Sequence, residues 1–298
     1  GEFSSLAVVD GLPAIAYYNG SAGTLWYVRA TDAAGTSWGT PVLVHGFSDT
    51  GRFCDLDIVN GHPAIAFSSV TGSLVAIIRA NDPAGVDWPL GAHQVAAVDG
   101  QHVSLEVVNG KPAVAYYDSA TFELKYIRAV DDNGINWSLP EVTVDTGGVG
   151  LHADLKIVDG FPAIAYYDDT NTNLKYVRAS NANGGSWEPP VTVVAADQNV
   201  GTYLSLAVVD NRPAISYFNF DASALQYVRA ADATGAAWEL PQVLDDAGNV
   251  GDHSSLALIN GRPAISYHSA DGQQLRFIQA LDPAGLNWAE PVVVDSGN

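Results

Sequence analysis

The stretch "SLAVVDGLPAIAYY" (Ser5 to Tyr18) decides the fold, because it returns in edited form six times along the chain. Two short apolar runs flank Asp10-Gly11, a dipeptide typical of two-residue hairpin turns whose central residues need positive φ. Proline is tolerated at the start of a strand, so Pro13 can open the second run. The stretch therefore predicts two antiparallel strands joined by a tight turn.

The repeat has a period of about 50 residues, the length of a propeller blade. Its prolines are Pro13, Pro63, Pro112, Pro162, Pro213 and Pro263. The tryptophans in step with them are Trp38, Trp88, Trp137, Trp187, Trp238 and Trp288. Each unit holds two further apolar runs, in the first copy Leu25–Ala30 and Ser37–Val44. Four strands per unit of this length are typical of a blade.

These repeats predict an all-β fold, a six-bladed β-propeller with four antiparallel strands per blade. We expect a single domain over residues 1–298, with blades that are contiguous in sequence. The expected blades are 1–48, 49–98, 99–147, 148–198, 199–248 and 249–298. A β-solenoid or a string of small domains is the structural alternative.

Composition limits the function classes. The chain of 298 residues has 33 acidic and 13 basic side chains and a formal net charge of −20, which would repel nucleic acid and anionic lipid. No apolar run approaches the length that spans a bilayer. Cys54 is the one cysteine, so an intrachain disulfide is excluded. We expect a secreted or cell-surface module, part of a longer multidomain chain, that needs no cofactor.

The loop before the tryptophan has the pattern Asp-x-x-Gly-x-x-Trp in five copies, as in Asp32, Gly35 and Trp38, and Asn181 replaces the aspartate in the fourth. It resembles the Asp-box of sialidase-type (BNR) propellers, with one residue more between aspartate and glycine. The resemblance implies a propeller but brings no sialidase chemistry. We expect the carboxylate to cap its own turn, glycine to supply positive φ and tryptophan to wedge between blades; calcium binding is the alternative. The arginines that end the third strands are predicted to pair with this turn: Arg29, Arg79, Arg128, Arg178 and Arg229.

Counting outward from each hairpin turn places ring-bearing residues opposite one another. In the sixth copy His253 is predicted to face His268. The equivalent pairs are Phe3 with Tyr18, Phe53 with Ser68, His102 with Tyr117, His152 with Tyr167, and Tyr203 with Phe218. Such rings either plug the blade rim by packing or form an aromatic and imidazole collar around a ligand.

Polar residues accompany the rings, most densely in the third and fourth blades. The predicted ligand-binding residues are His102, Tyr117, Asp118, His152, Asp154, Tyr167, Asp168, Tyr203, His253 and His268. One first-strand position reads Ala7, Asp57, Glu106, Lys156, Ala207 and Ala257. Charges there indicate a wet channel wall with a partial salt bridge, or a cation site at Asp57 and Glu106.

We expect a non-catalytic binding module that recognises carbohydrate or a protein surface at the mouth of the channel. Two alternatives remain open. One is a structural or protein-interaction propeller without a small ligand. The other is a glycosidase or lyase, which would need two carboxylates at a defined separation, such as Asp118 with Asp154 or Asp168.

Overall fold

The computed structural model describes residues 1–47, 49–137, 140–194 and 199–296. Within these ranges the regular structure consists of β-strands that form six sheets, each an antiparallel meander of four consecutive strands. The predicted fold class is confirmed: the fold is an all-β, six-bladed β-propeller. The described part of the chain holds no helix long and apolar enough to cross a membrane. Two compact units are distinguished, residues 1–146 and 147–298.

The first unit holds three blades. The first blade consists of β1 (Glu2–Val9), β2 (Leu12–Asn19), β3 (Thr24–Arg29) and β4 (Val42–His45). The second consists of β5 (Thr50–Val59), β6 (His62–Ser69), β7 (Leu74–Arg79) and β8 (His93–Ala96). The third consists of β9 (Gly100–Val108), β10 (Lys111–Asp118), β11 (Glu123–Arg128) and β12 (Val142–Thr146).

The second unit holds the other three blades. The fourth blade consists of β13 (Val149–Val158), β14 (Phe161–Asp168), β15 (Asn173–Arg178) and β16 (Val191–Val194). The fifth consists of β17 (Val200–Val209), β18 (Arg212–Asn219), β19 (Ala224–Arg229) and β20 (Gln242–Asp245). The sixth consists of β21 (Val250–Ile259), β22 (Arg262–Ser269), β23 (Gln274–Gln279) and β24 (Val292–Asp295).

The fourth strand is shorter than the sequence predicts. In the first blade it begins at Val42, whereas the apolar run starts at Ser37. Trp38 forms an isolated antiparallel bridge with Ala30 instead of joining the ladder. Pro41 precedes the strand, and proline has no N–H to donate to a ladder.

Within each unit the apolar core lies between the faces of neighbouring blades. Tyr27 and Phe67 belong to one buried cluster of the first unit, and Tyr176 and Tyr217 belong to one of the second. Four tryptophans pack against the preceding blade, as predicted: Trp88, Trp137, Trp238 and Trp288. The ring centroid of Trp88 lies 5.4 Å from that of Tyr27 on the preceding blade.

In five blades the turn before the tryptophan is closed by its own aspartate, which confirms the predicted cap, and in the fourth blade Asn181 takes this place. Asp32 Oδ1 accepts a hydrogen bond from the backbone N–H of Thr36 at 3.1 Å, and Oδ2 accepts one from that of Ser37 at 2.8 Å. Gly35 has a φ of 67°, and Trp38 Nε1 donates to the Gly35 carbonyl oxygen at 3.0 Å. N–H donors thus face both carboxylate oxygens, which is an unfavourable setting for calcium.

The arginines that end the third strands bind a different turn from the one predicted. Arg29 Nε donates to the Val9 carbonyl oxygen at 2.9 Å, and its Nη2 donates to that of Asp10 at 3.0 Å. The prediction of pairing with the Asp-box-like turn is therefore wrong: the end of β3 lies beside the start of β2, next to the β1–β2 hairpin. In the sixth blade Gln279 Nε2 donates to the Ile259 carbonyl oxygen at 3.0 Å, so a neutral amide keeps the bond.

Candidate functional site

Each first strand is interrupted by a β-bulge near its start. In the sixth blade Asp252 lies opposite His268 and Ser255 lies opposite Ser266, so two residues of β21 face a single residue of β22. The predicted pairing of His253 with His268 is therefore wrong, because a straight count from the turn does not allow for the extra residue. Asp252 faces His268 instead, with 3.9 Å between Asp252 Oδ2 and His268 Nδ1.

The bulge places a ring-bearing residue at positive φ in every blade. These residues are Phe3, Phe53, His102, His152, Tyr203 and His253, and their φ angles lie between 50° and 54°. Positive φ is unfavourable for a bulky side chain. Such strain persists only where the surrounding structure imposes it, and it concentrates at functional sites. The repeated strain makes this position a candidate site.

The strained residues contact each other across blades, and we call each set of three a ring row. The first unit has the ring row Phe3, Phe53 and His102, with successive ring centroids 4.5 and 4.7 Å apart. The second unit has the ring row His152, Tyr203 and His253, with centroids 4.8 and 4.3 Å apart. The predicted cross-strand contact is longer, since His152 and Tyr167 are 6.5 Å apart.

Burial keeps two histidines of the ring rows neutral at physiological pH. It lowers the pKa of His102 to about 4. The pKa of His253 is also lowered, chiefly by burial and to a lesser extent by His268, while the charge of Asp252 opposes the change. Neutral imidazoles in a row of rings offer flat faces and one N–H donor each.

Two of the predicted tyrosines, Tyr117 and Tyr167, close the rim of their blades. Tyr167 is buried, and its hydroxyl donates to Asn199 Oδ1 at 2.8 Å, which ties β14 to the segment that precedes β17. Tyr117 is buried at the equivalent position of β10. Their rings contribute packing at this edge of the blade.

Asp118 and Asp168 cap the turns between second and third strands. Only 3% of Asp118 and 2% of Asp168 is exposed. Asp118 Oδ1 accepts the backbone N–H of Ala120 at 3.0 Å, and Asp168 Oδ1 accepts that of Asn171 at 2.9 Å. Lys175 Nζ lies 3.6 Å from Asp168 Oδ2. Because these carboxylates are buried among turn donors, they are poorly suited to act as the acid and base of a glycosidase.

Asp154 links two neighbouring blades. Its Oδ2 accepts the backbone N–H of Leu206 at 2.7 Å, and Lys156 Nζ lies 2.9 Å from Oδ1. In the first unit Asp55 Oδ2 likewise accepts the N–H of Leu105 at 2.8 Å. Serine serves the same purpose elsewhere: the hydroxyl oxygens of Ser5 and Ser205 accept the N–H groups of Leu56 and Leu256. We call these contacts the blade links; sequence reasoning missed them, although the alternation of serine and aspartate at one position was visible.

The charged first-strand position behaves differently in the two units. In the second unit Lys156 pairs with Asp154 on its own strand. In the first unit Asp57 and Glu106 occupy equivalent positions on β5 and β9, and both are partly exposed. Asp57 Oδ1 accepts the N–H of Ile58 at 2.7 Å, and Glu106 Oε1 accepts that of Val107 at 3.1 Å. No group of three or more His, Cys, Asp or Glu side chains within the described ranges is arranged to hold a metal ion.

No protein-family model and no curated protein matches the chain. Among solved structures it is similar to an exo-β-1,3-galactanase from Phanerochaete chrysosporium with galactose, at 11% identity and a TM-score of 0.53, over 93% of this chain and 75% of that one. The NanB sialidase of Streptococcus pneumoniae matches at 10% identity and a TM-score of 0.60, over 90% and 65%. A quinonprotein alcohol dehydrogenase-like protein from Bacteroides thetaiotaomicron matches at 12% identity and a TM-score of 0.60, over 99% and 67%.

At these identities the likeness shows the fold, and a sialidase among the matches supports the resemblance to sialidase-type propellers. The prediction of a non-catalytic module, and with it the expectation that the chain is not an enzyme, is contradicted, because the matches include a galactanase and a sialidase. The enzyme alternative is the better supported one. Sequence reasoning set it aside for lack of a catalytic motif, but a site built from several blades leaves no short motif.

Proposed function

We propose that this protein is a carbohydrate-active enzyme of the glycosidase type. The observation that carries the proposal is the pair Asp57 and Glu106. These are two partly exposed carboxylates at equivalent positions on neighbouring first strands. Glycoside hydrolysis by the common mechanisms needs two such carboxylates beside the scissile bond. The fold neighbours whose names indicate action on carbohydrate support carbohydrate as the class of substrate.

The strands that carry the pair are fixed against one another. Asp55 lies two residues before Asp57 on β5. Its blade link is to Leu105 on β9, the residue directly before Glu106. Ser5 donates to the other oxygen of Asp55 at 2.8 Å, so the linking carboxylate is itself held. A catalytic pair has to be held within a fraction of an ångström, and these bonds supply that support.

The chemistry divides between the two carboxyl groups. One, in its acid form, protonates the glycosidic oxygen of the leaving group. The other, as a carboxylate, either attacks the anomeric carbon or activates a water on the opposite face of the sugar. The backbone N–H bonds to Asp57 and Glu106 fix one oxygen of each group.

The ring row of the first unit lies on the same two strands. Phe53 on β5 and His102 on β9 have ring centroids 4.7 Å apart. Each is four residues from the carboxylate of its strand, and because the bulge takes up one of these residues the separation along the strand is about 10 Å. We infer that sugar rings stack on Phe53 and His102 while the scissile bond lies at Asp57 and Glu106.

The test is turnover of aryl β-galactosides and aryl sialosides by the wild-type chain and by Asp57→Asn and Glu106→Gln. Loss of an acid or base should lower kcat by about a hundredfold or more. Asp246→Asn, which removes an exposed carboxylate from the connection after β20, is the matched control and should keep wild-type activity. Unfolding curves check that each variant is folded.

Two results would contradict the proposal. Wild-type turnover in Asp57→Asn or Glu106→Gln would remove that residue from catalysis. The absence of sugar release by the pure wild-type chain from both substrate types and from a β-1,3-galactan would contradict the enzyme assignment itself.

A further inference from the structure

One blade departs from a side-chain pair that the other five share. Opposite residues on the second and third strands combine a tyrosine with a large side chain: Tyr17 with Trp26, Tyr116 with Lys125, Tyr166 with Lys175, Tyr217 with Gln226, and Tyr267 with Arg276. In the second blade the pair is Phe67 with Ala76. The second blade therefore lacks both the hydroxyl and the long side chain.

The sixth blade shows what these groups do. The Tyr267 hydroxyl donates to Asp245 Oδ2 at 2.6 Å, and Arg276 Nη1 lies 2.9 Å from the same oxygen. Asp245 belongs to the fourth strand of the preceding blade, so the three side chains fill the space between two blades. The position equivalent to Asp245 in the first blade is His45, because each pairs with the leucine of its third strand.

Where this filling is missing, the first unit has a cavity. It encloses about 380 Å³ between the first and second blades. Its lining includes His45, Phe47, Phe67, Leu74, Ala76 and Gln94. The volume lies within the range of small-molecule sites, which are largely apolar with a few polar groups.

His45 is a hydrogen-bonding group of this cavity, and its neighbours fix its tautomer. The Thr50 hydroxyl donates its one proton to the Phe47 carbonyl oxygen at 2.8 Å. It must therefore accept the proton in its 3.1 Å contact with His45 Nδ1, so Nδ1 carries the hydrogen. Burial lowers the pKa of His45, which favours the neutral ring. The second nitrogen, Nε2, is then a hydrogen-bond acceptor.

We propose that the cavity between the first and second blades binds a small neutral aromatic alcohol, with its hydroxyl donating to His45 Nε2. The ring of the ligand replaces the missing long side chain and contacts Phe47, Phe67 and Leu74. The ring centroid of His45 lies 5.0 Å from that of Phe47 and 5.5 Å from that of Phe67. A further aromatic ring can contact this cluster at similar centroid distances. This site is separate from Asp57 and Glu106 and does not rest on the proposed activity.

The test is a titration with 4-fluorophenol followed by ¹⁹F NMR, with fluorobenzene as the probe that lacks the hydroxyl. Ala76→Lys restores the side chain of the third and fourth blades and should weaken 4-fluorophenol binding by about tenfold or more. Ala76→Ser leaves the cavity open and is the matched control. Ala76→Gln, which restores the residue of the fifth blade, serves as a second filling variant if Ala76→Lys does not fold.

His45→Phe separates the polar contact from the apolar one. It keeps a ring but removes the acceptor, so 4-fluorophenol should bind about three- to tenfold more weakly, the size of one hydrogen bond. Binding of fluorobenzene should change less than twofold. Equal affinities of 4-fluorophenol for the wild type and a folded Ala76 filling variant would refute the site. Equal losses of both probes in His45→Phe would refute the role of His45. Because the readout is binding, it is independent of any glycosidase turnover.

Discussion

Replacing the wedge tryptophans tests how the blades are held together. Trp137 is 8% exposed, belongs to a buried cluster with Ile77 and donates to the Gly134 carbonyl oxygen at 2.8 Å. Trp137→Ala should therefore lower the free energy of unfolding by about 3–5 kcal/mol, the range for deleting a large buried aromatic side chain. Trp38 occupies the same repeat position but is 40% exposed. Scaling by the buried fraction gives about 2–3 kcal/mol for Trp38→Ala.

Urea unfolding followed by far-ultraviolet circular dichroism measures both variants without relying on tryptophan fluorescence. The urea midpoint should shift, while the slope of the free energy of unfolding against urea concentration stays constant, because the surface exposed on unfolding is nearly the same. A cost below about 1 kcal/mol for Trp137→Ala would remove this side chain from the core. An equal or larger cost for Trp38→Ala would refute the argument from burial.

Three further perturbations have defined outcomes. Burial opposes ionisation of Asp232, yet the Thr234 hydroxyl and three backbone N–H groups outweigh it and lower its pKa to about 2. Because this pKa is lower in the folded state than the unfolded value of 3.8, the charged Asp232 stabilises the fold above pH 3.8, and this stabilisation is lost as the pH falls to about 2. The free energy of unfolding should therefore decline across this window, and it should decline less in Asp232→Asn. Asp55→Ala removes the blade link to Leu105 and should cost about 1–3 kcal/mol in urea unfolding, whereas an equally unstable Asp55→Asn, which keeps an acceptor oxygen, would argue against the link. Burial raises the pKa of the Cys54 thiol, so Ellman's reagent should label it only after unfolding; fast labelling of the native protein would contradict its burial.

The architecture was predictable because it depends on features that every repeat shares. Proline at the start of the second strand and tryptophan after the third strand each recur six times, and glycine in the hairpin turn recurs five times, with Asn211 in its place in the fifth blade. Because turn residues and apolar residues agree in every copy, the pattern predicts the same blade structure for each repeat. The aspartate caps followed from the same reasoning, since Asp32 binds donors within its own turn.

The site was less predictable because its geometry depends on contacts between repeats. The bulge moves His253 away from His268, and the His253 ring contacts Tyr203 of the neighbouring blade instead, which no count along one strand reveals. Asp118 and Asp168 were selected for their charge, but their burial assigns them to turns. The cavity is predictable in principle, since Phe67 and Ala76 break a pattern that is visible in the sequence.

The blade links have a consequence for how such a chain can change. Each link joins a side-chain oxygen of one first strand to a backbone N–H of the next, so this bond requires no particular side chain on the receiving blade. Serine and aspartate both serve as the acceptor. A blade that is duplicated, exchanged or rewritten on its surface therefore brings the required donor with it. The hydrogen bond between blades does not depend on which repeat a blade comes from. Each blade can therefore acquire its own ligand-facing residues while it still packs against its neighbours.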